Sequence, residues 1–150
     1  MPSISSLIAR LTADYPDISF EQGQAAYWSP SSKTISYTPA TLSTELLHEL
    51  GHALSGHTDY ERDIQLIAME HEAWTAALEI APTYGVKIAP DTIEHHMDTY
   101  RDWLHARSLC PACQANGIQV DRVTYQCPAC EAKWVVNEAR TCALRRRQIK

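Results

Sequence analysis

The sequence predicts an α+β protein in which a domain of helices and a small antiparallel sheet precedes a small cysteine-rich module. Apolar residues recur at helical spacing in four segments, short β-prone runs precede the second of them, and all five cysteines lie beyond residue 108. Charge changes at the same place: residues 1–108 contain six basic and fifteen acidic residues, whereas the remainder contains seven and three. We therefore predict a first domain at 1–108, a cysteine module at 109–137 and a basic C-terminal tail at 138–150.

Composition sets the broad class of the protein. Hydrophobic residues make up 45% of the 150 residues, which is enough for a buried core. No apolar run approaches the roughly 20 residues that span a bilayer. The N-terminal residues also lack the basic segment and apolar core of an export signal. These features predict a soluble, cytoplasmic protein without a membrane partner.

The first half of the N-terminal domain is predicted from periodicity and turn residues. A first helix begins at Ile4 and ends before Pro16. Residues 29–33, rich in Ser and Pro, predict a hairpin turn, so we expect the β-prone runs to form an antiparallel sheet. These runs are residues 18–20, 25–28 and 34–37.

Three further helices are predicted in the second half of this domain. The second helix is expected to be capped by Thr41 or Ser43, and the fourth by Asp91. The third begins near Asp59 and ends or kinks at Pro82. Its apolar stripe is predicted to contain Ile64, Ile67, Ala68, Trp74, Leu78 and Ala81.

Residues 48–52 read His-Glu-Leu-Gly-His inside the second predicted helix, which should end near Gly56. His48 and His52 project from the same side and can hold one zinc ion through their ring nitrogens. Glu49 is placed to act as a base on a water molecule polarised by that zinc. A purely structural pair is disfavoured, because two buried histidines without a metal need two separate hydrogen-bond partners. The motif therefore predicts zinc-dependent hydrolysis, most often of a peptide bond.

A catalytic zinc normally takes three protein ligands, so a third ligand must lie outside the motif. One class of zinc protease uses a histidine at the position of Thr58, and His57 is one residue short of it. A glutamate on the following helix is the other common solution. Glu70 and Glu72 both flank the predicted apolar stripe, and spacing alone leaves both open.

The stretch from His48 to Pro82 resembles the ImmA/IrrE family of zinc metallopeptidases. The resemblance lies in the HExxH motif and in the later run Glu70-His71-Glu72-Ala73-Trp74-Thr75-Ala76-Ala77-Leu78. It extends over about residues 20–85 and implies a minimal zincin-like domain of the gluzincin type. It also implies that Glu72, of the Glu-Ala pair, is the third zinc ligand. Trp74 stands where the family usually has asparagine.

The function implied is a zinc-dependent metalloendopeptidase acting on a protein or peptide substrate. Glu49 would take the proton of the attacking water and pass it to the departing amine. The strand at residues 33–38 could be an edge strand that binds an extended substrate by strand addition, or an ordinary packing strand. Five side chains are candidate donors to the developing oxyanion: Tyr60, His71, His95, His96 and Tyr100.

Two Cys-Pro-Ala-Cys units, separated by thirteen residues, predict a Cys₄ zinc ribbon with a structural zinc. Its ligands are Cys110, Cys113, Cys127 and Cys130. The ribbon is expected to recognise the substrate or a partner. A disulfide framework is less favoured in a chain without an export signal. Cys142 is expected to be a free thiol.

The C-terminal tail is basic and could contact nucleic acid phosphates. The residues concerned are Arg140, Arg145, Arg146, Arg147 and Lys150.

Two alternative functions remain open. One is a SprT-like protease acting on DNA-bound proteins, since that family also joins HExxH to a zinc ribbon. The other is a non-enzymatic zinc-ribbon adaptor whose first metal is structural.

Overall fold

The computed structural model describes residues 2–138 and 144–149, and within them the chain is an α+β protein, as predicted. The helices are α1 (Ile4–Asp14), α2 (Ser43–Leu54), α3 (Asp63–Ile80) and α4 (Pro90–Ser108), with a 3₁₀ turn at Ala81–Tyr84. The first sheet contains β1 (Ser19–Gln22), β2 (Tyr27–Ser29) and β3 (Thr34–Tyr37). The second contains β4 (Ile118–Gln119), β5 (Thr124–Gln126), β6 (Lys133–Val136) and β7 (Arg146–Ile149). Among the described helices, none has the length and apolar character needed to span a membrane.

The first sheet is mixed, which corrects the predicted antiparallel sheet. Its strand order is β1-β3-β2, with β2 antiparallel and β1 parallel to β3. Residues 23–26 are long enough to carry the chain across β3, since strands two apart are separated by roughly 10 Å. The N–H of Gly23 donates to the carbonyl of Tyr37 at 2.8 Å and so continues the β1–β3 ladder.

β3 is the central strand of this sheet. Ile35 lies between Phe20 of β1 and Trp28 of β2, and its side chain is fully buried. The prediction that residues 33–38 bind substrate as an edge strand is therefore wrong, because both sides of β3 are already hydrogen-bonded. Within the described sheet, the open edges belong to β1 and β2.

The start of α2 uses a different cap from the two predicted. The carboxylate of Glu45 accepts a hydrogen bond from the N–H of Leu42 at 2.9 Å, which satisfies a backbone donor ahead of the first turn. The hydroxyl of Thr41 instead accepts from the N–H of Thr38 at 2.8 Å. Thr41 therefore stabilises the turn before the helix.

The end of α2 is a Schellman motif and lies where the sequence predicts it. Gly56 has a φ of 68°, the left-handed conformation that favours glycine. The N–H of Gly56 donates to the carbonyl of Ala53 at 3.2 Å, and the N–H of His57 donates to the carbonyl of His52 at 3.1 Å. This turn brings residue 57 back beside residue 52.

α2 and α3 approach each other closely at one glycine. Leu46, Leu47 and Leu50 are fully buried on α2. A Cβ added at Gly51 would meet the backbone carbonyl of Ala73 well inside contact distance. Glycine at position 51 is therefore what allows the two helices to come this near.

We expect Gly51→Ala to destabilise the protein. Helix propensity alone would favour alanine by about 1 kcal/mol, whereas overpacking against a backbone atom costs about 3 kcal/mol. The expected net loss is about 2 kcal/mol in the free energy of unfolding, measured by urea denaturation. Gly85→Ala is the comparison, because Gly85 has no atom near its missing Cβ and should lose about 1 kcal/mol from its φ of 66° alone. Equal losses in the two variants would contradict the close approach.

The buried side of α3 differs from the predicted apolar stripe. Ile64 and Leu78 were predicted to be buried, but they are 61% and 46% exposed. The residues that are buried recur at intervals of three and four, as one helix face requires: Asp63, Leu66, Glu70, Ala73, Trp74 and Ala77. Glu70 therefore lies on the buried face of this helix.

Contacts divide the chain into two compact units, residues 1–59 with 69–93 and residues 60–68 with 94–150. The first contains the HExxH motif and the second contains the four predicted ribbon cysteines. This division differs from the predicted boundary at residue 108. The physical reason is a buried ion pair within the second unit, in which Arg107 Nε lies 2.7 Å from Asp63 Oδ2.

The second unit has its own small core. The rings of Tyr125 and Trp134 are buried and stack with centroids 5.8 Å apart. The Tyr125 hydroxyl donates to Asp63 Oδ2 at 2.5 Å, and the Trp134 indole N–H donates to the carbonyl of Arg107 at 2.8 Å. Residues 146–149 of the predicted basic tail form β7, which pairs antiparallel with β6.

Candidate metal centres

Three buried side chains of the first unit converge at one point. His48 and His52 lie one turn apart on α2, and Glu70 reaches them from the buried face of α3. His48 Nε2 is 2.8 Å from Glu70 Oε2, His52 Nε2 is 3.3 Å from Glu70 Oε1, and the two Nε2 atoms are 3.2 Å apart. Side chains of these types at these distances could hold a metal ion. We call them the His₂Glu group.

The carboxylate of this group belongs to Glu70, whereas the family resemblance predicted Glu72. The Glu72 side chain is 62% exposed, and its Oε2 lies 2.7 Å from His57 Nε2. Positions two apart on a helix point to different sides, so Glu70 and Glu72 cannot both face the same pair of histidines. The alternative that spacing left open, Glu70, is the one that the structure places beside His48 and His52.

Two residues without a predicted role in the site lie against it. The buried ring of Trp74 packs on His48 with centroids 4.3 Å apart, and so restricts the orientation of that imidazole. His57 Nδ1 lies 2.9 Å from His52 Nδ1, on the side of the ring opposite to Glu70. The Schellman motif was a signal for this second contact, because its last residue commonly touches the residue at which His52 stands.

Glu49 faces the same site from α2. Burial raises the pKa of its carboxyl to about 7, with His52 and the backbone N–H of Trp28 acting in the opposite direction and Glu70 adding to the rise. Burial would also raise the pKa of Glu70, but hydrogen bonds from the rings of His48 and His52 hold it well below its ordinary value. The pKa values of the two carboxyl groups are therefore shifted in opposite directions.

The candidate oxyanion donors stay a prediction. The guanidinium carbon of Arg122 lies over the Tyr60 ring, 5.7 Å from the ring centre. His96 and Tyr100 pack against each other on α4 with ring centroids 5.2 Å apart. These contacts give the three side chains local packing roles. His71 and His95 are exposed on α3 and α4.

The four predicted ribbon cysteines come together in the second unit. Cys110 Sγ is 3.6 Å from Cys130 Sγ, and Cys113 Sγ is 3.5 Å from Cys127 Sγ. All four sulfur atoms lie within 4.8 Å of one another, so this Cys₄ group could also hold a metal ion.

The two Cys-Pro-Ala-Cys units have the same backbone structure. In the first, the N–H of Cys110 donates to the carbonyl of Ala115 at 2.8 Å; in the second, Cys127 donates to Ala132 at the same distance. The residue after each unit, Gln114 or Glu131, has a left-handed φ of about 65°. Burial opposes ionisation of Cys110, but hydrogen bonds from the N–H groups of Cys113 and Ala112, together with those from the side chains of Cys130 and Cys113, lower the pKa of this thiol.

The basic segment is described in part. Arg146 lies in β7, and its guanidinium donates to the carbonyl of Leu109. Arg147 pairs with Val135 in the sheet, and Arg145 precedes the strand. Cys142, Arg140 and Lys150 fall outside the described residues. Nucleic-acid binding by this segment stays a prediction.

Comparison of the chain with known protein families, with curated proteins and with solved structures found no match.

Proposed function

We propose that this protein is a zinc-dependent metalloendopeptidase, with a catalytic zinc in the His₂Glu group and a structural zinc in the Cys₄ group. One observation carries the proposal: a buried cluster of His48, His52 and Glu70 lies beside the carboxyl of Glu49. A structural metal site has no need of a buried carboxyl that lies beside the ligands without being one of them. Such a group is what general base catalysis requires.

The donor sets fit zinc. Zinc–nitrogen bonds of about 2.1 Å in a tetrahedron place donor atoms about 3.4 Å apart. His52 Nε2 lies 3.2 Å from His48 Nε2 and 3.3 Å from Glu70 Oε1, and His48 Nε2 lies 2.8 Å from Glu70 Oε2. For sulfur the corresponding separation is about 3.8 Å, against 3.5 and 3.6 Å between paired cysteines. Two imidazoles with one carboxylate are a catalytic donor set, and four thiolates are a structural one.

The chemistry follows from the positions of the side chains. Zinc held by these residues supplies Lewis acidity and lowers the pKa of a water molecule toward about 7. Glu49 accepts the proton of the attacking water and delivers it to the amine as the peptide C–N bond breaks. Trp28 holds the Glu49 carboxyl through its backbone N–H, and so fixes the base relative to β2.

β2 is also the strand against which we place the substrate. It is an edge of the first sheet and it contacts α2. An extended peptide lying along this edge would pass beside Glu49. The Cys₄ group would support the second unit, since a unit of this size gains folding free energy from metal binding.

Removal of the metal tests the proposal. Full-length protein is expected to contain two zinc ions per chain and to cleave a diverse library of peptides, with products identified by mass spectrometry. A chelator should abolish cleavage, and added zinc should restore it. A chain that contains two zinc ions and cleaves no peptide in the library would instead be the non-enzymatic adaptor.

Glu70→Ala is expected to weaken zinc binding at the His₂Glu group more than 100-fold, since loss of groups that only orient the ligands costs about 10- to 100-fold. The zinc content should fall from two ions to one, as measured by elemental analysis, and competition with a chromophoric chelator gives the affinity. Glu79→Ala, at an exposed position on the same helix, is the matched control. Weaker binding in Glu72→Ala than in Glu70→Ala would return the ligand role to Glu72.

A further inference from the structure

Three side chains, those of His52, His57 and Glu72, form a hydrogen-bonded series behind the His₂Glu group. His52 Nδ1 lies 2.9 Å from His57 Nδ1, and His57 Nε2 lies 2.7 Å from Glu72 Oε2. His57 is 8% exposed, and the mechanism described above gives it no role. A buried imidazole with both ring nitrogens in hydrogen bonds is fixed in orientation, and so is the ring that it contacts.

The Glu72 carboxylate, at the outer end of this series, determines which nitrogen donates and which accepts in each hydrogen bond. An ionised carboxylate can only accept, so His57 Nε2 must carry a proton and donate it to Glu72. In a neutral imidazole the other nitrogen is then an acceptor, so His57 Nδ1 accepts from the N–H at His52 Nδ1. His52 Nε2 is left with its lone pair, on the side that faces His48 and Glu70.

The fold holds His57 in place from two further sides. The Schellman motif sets its backbone beside His52. The indole N–H of Trp28 donates to the carbonyl of His57 at 3.1 Å. Glu72 stands two residues after Glu70, so a single helix supplies both the carboxylate of the His₂Glu group and the carboxylate behind it.

We propose that His57 and Glu72 are positioning residues, which hold His52 in the tautomer that presents Nε2 to a metal. This inference rests on the proposed zinc site. His57 Nδ1 accepts the hydrogen bond from the Nδ1–H of His52. Glu72 leaves that nitrogen free to accept, because its carboxylate holds the single N–H of His57 at Nε2. Groups that orient metal-binding histidines in this way are commonly worth 10- to 100-fold in metal affinity.

Zinc affinity of the His₂Glu group tests the role, measured on the full-length chain by chelator competition. His57→Phe removes the acceptor and is expected to weaken binding 10- to 100-fold. His57→Asn offers an amide oxygen near the position of Nδ1 and should recover most of the loss. Glu72→Gln should have an intermediate effect, because an amide can also donate and no longer fixes the direction. His105→Phe and Glu79→Gln, at exposed positions, are the matched controls.

The nitrogen spectrum of the imidazoles gives a second readout that is independent of affinity. In the zinc-loaded wild-type chain, long-range ¹H–¹⁵N correlations should show His57 protonated at Nε2, with His57→Asn providing the assignment. A proton at Nδ1 of His57, or unchanged zinc affinity in folded His57→Phe and Glu72→Gln, would overturn the proposal. A wild-type chain with zinc at the Cys₄ group alone would overturn the proposed function, and this inference with it.

Discussion

Replacement of Glu49 by glutamine is expected to leave both zinc ions bound and to lower peptide hydrolysis 10²- to 10⁴-fold. The amide has nearly the shape of the carboxylate and can still accept the N–H of Trp28 that Glu49 accepts. It cannot take a proton from water at neutral pH. The loss should therefore appear in kcat, with zinc content and the thermal midpoint of unfolding close to those of the wild type.

Glu79→Gln serves as the control for this variant, because it makes the same change at an exposed position on α3. It should cleave peptides at the wild-type rate. Cleavage by Glu49→Gln at that rate would exclude Glu49 as the base. Loss of zinc from Glu49→Gln would instead assign this carboxyl a role in holding the metal.

Asp63→Ala is expected to cost about 3–5 kcal/mol in the stability of the second unit, because it leaves a buried guanidinium without its counter-charge. Arg107 and Asp63 are each about 1% exposed and joined by two hydrogen bonds. The Tyr125 hydroxyl also donates to this carboxylate. The measurement is urea denaturation with saturating zinc, combined with amide hydrogen exchange in β5 and β6.

An exposed ion pair on α4 provides the matched control. Arg101 lies 2.8 Å from Asp98, whose side chain is 61% exposed. Asp98→Ala should cost less than about 1 kcal/mol. Replacing both buried partners, as in Asp63→Leu with Arg107→Met, should restore much of the loss, because no unpaired charge remains. Equal losses in Asp63→Ala and Asp98→Ala would show that the buried pair is not needed by the second unit.

Local features of the chain were predictable because their causes lie within a few residues. The helical spacing of His48 and His52 places both on one side of α2, and Gly56 ends that helix as expected. The two cysteine pairs come together as their spacing predicts. In each case the physical cause is the geometry of a single turn.

The third member of the His₂Glu group was harder to predict, because it depends on which face of α3 is buried. Including Ile64 and Leu78 in the apolar stripe made Glu70 and Glu72 look equivalent. Both aliphatic residues are in fact exposed, whereas Leu66 is buried four positions before Glu70. Apolar side chains occur often enough on surfaces to misplace a stripe drawn from one sequence.

Strand neighbours and unit boundaries could not be read from local patterns either. The parallel pairing of β1 with β3 depends on the path of residues 23–26. The second unit includes Asp63 because of a partner 44 residues further along the chain. Such contacts are chosen by burial of charge and by chain connectivity.

The spacing of the His₂Glu group along the chain bears on how the protein is made. Its three residues lie within 22 positions of one another, and His57 and Glu72 add no more than two positions to that span. The contacts of Asp63 cannot form until Arg107 and then Tyr125, 62 residues after Asp63, have been synthesised. Because synthesis proceeds from the N-terminus at about 5–20 residues per second, the side chains around His48 can meet several seconds before the last ribbon strand leaves the ribosome.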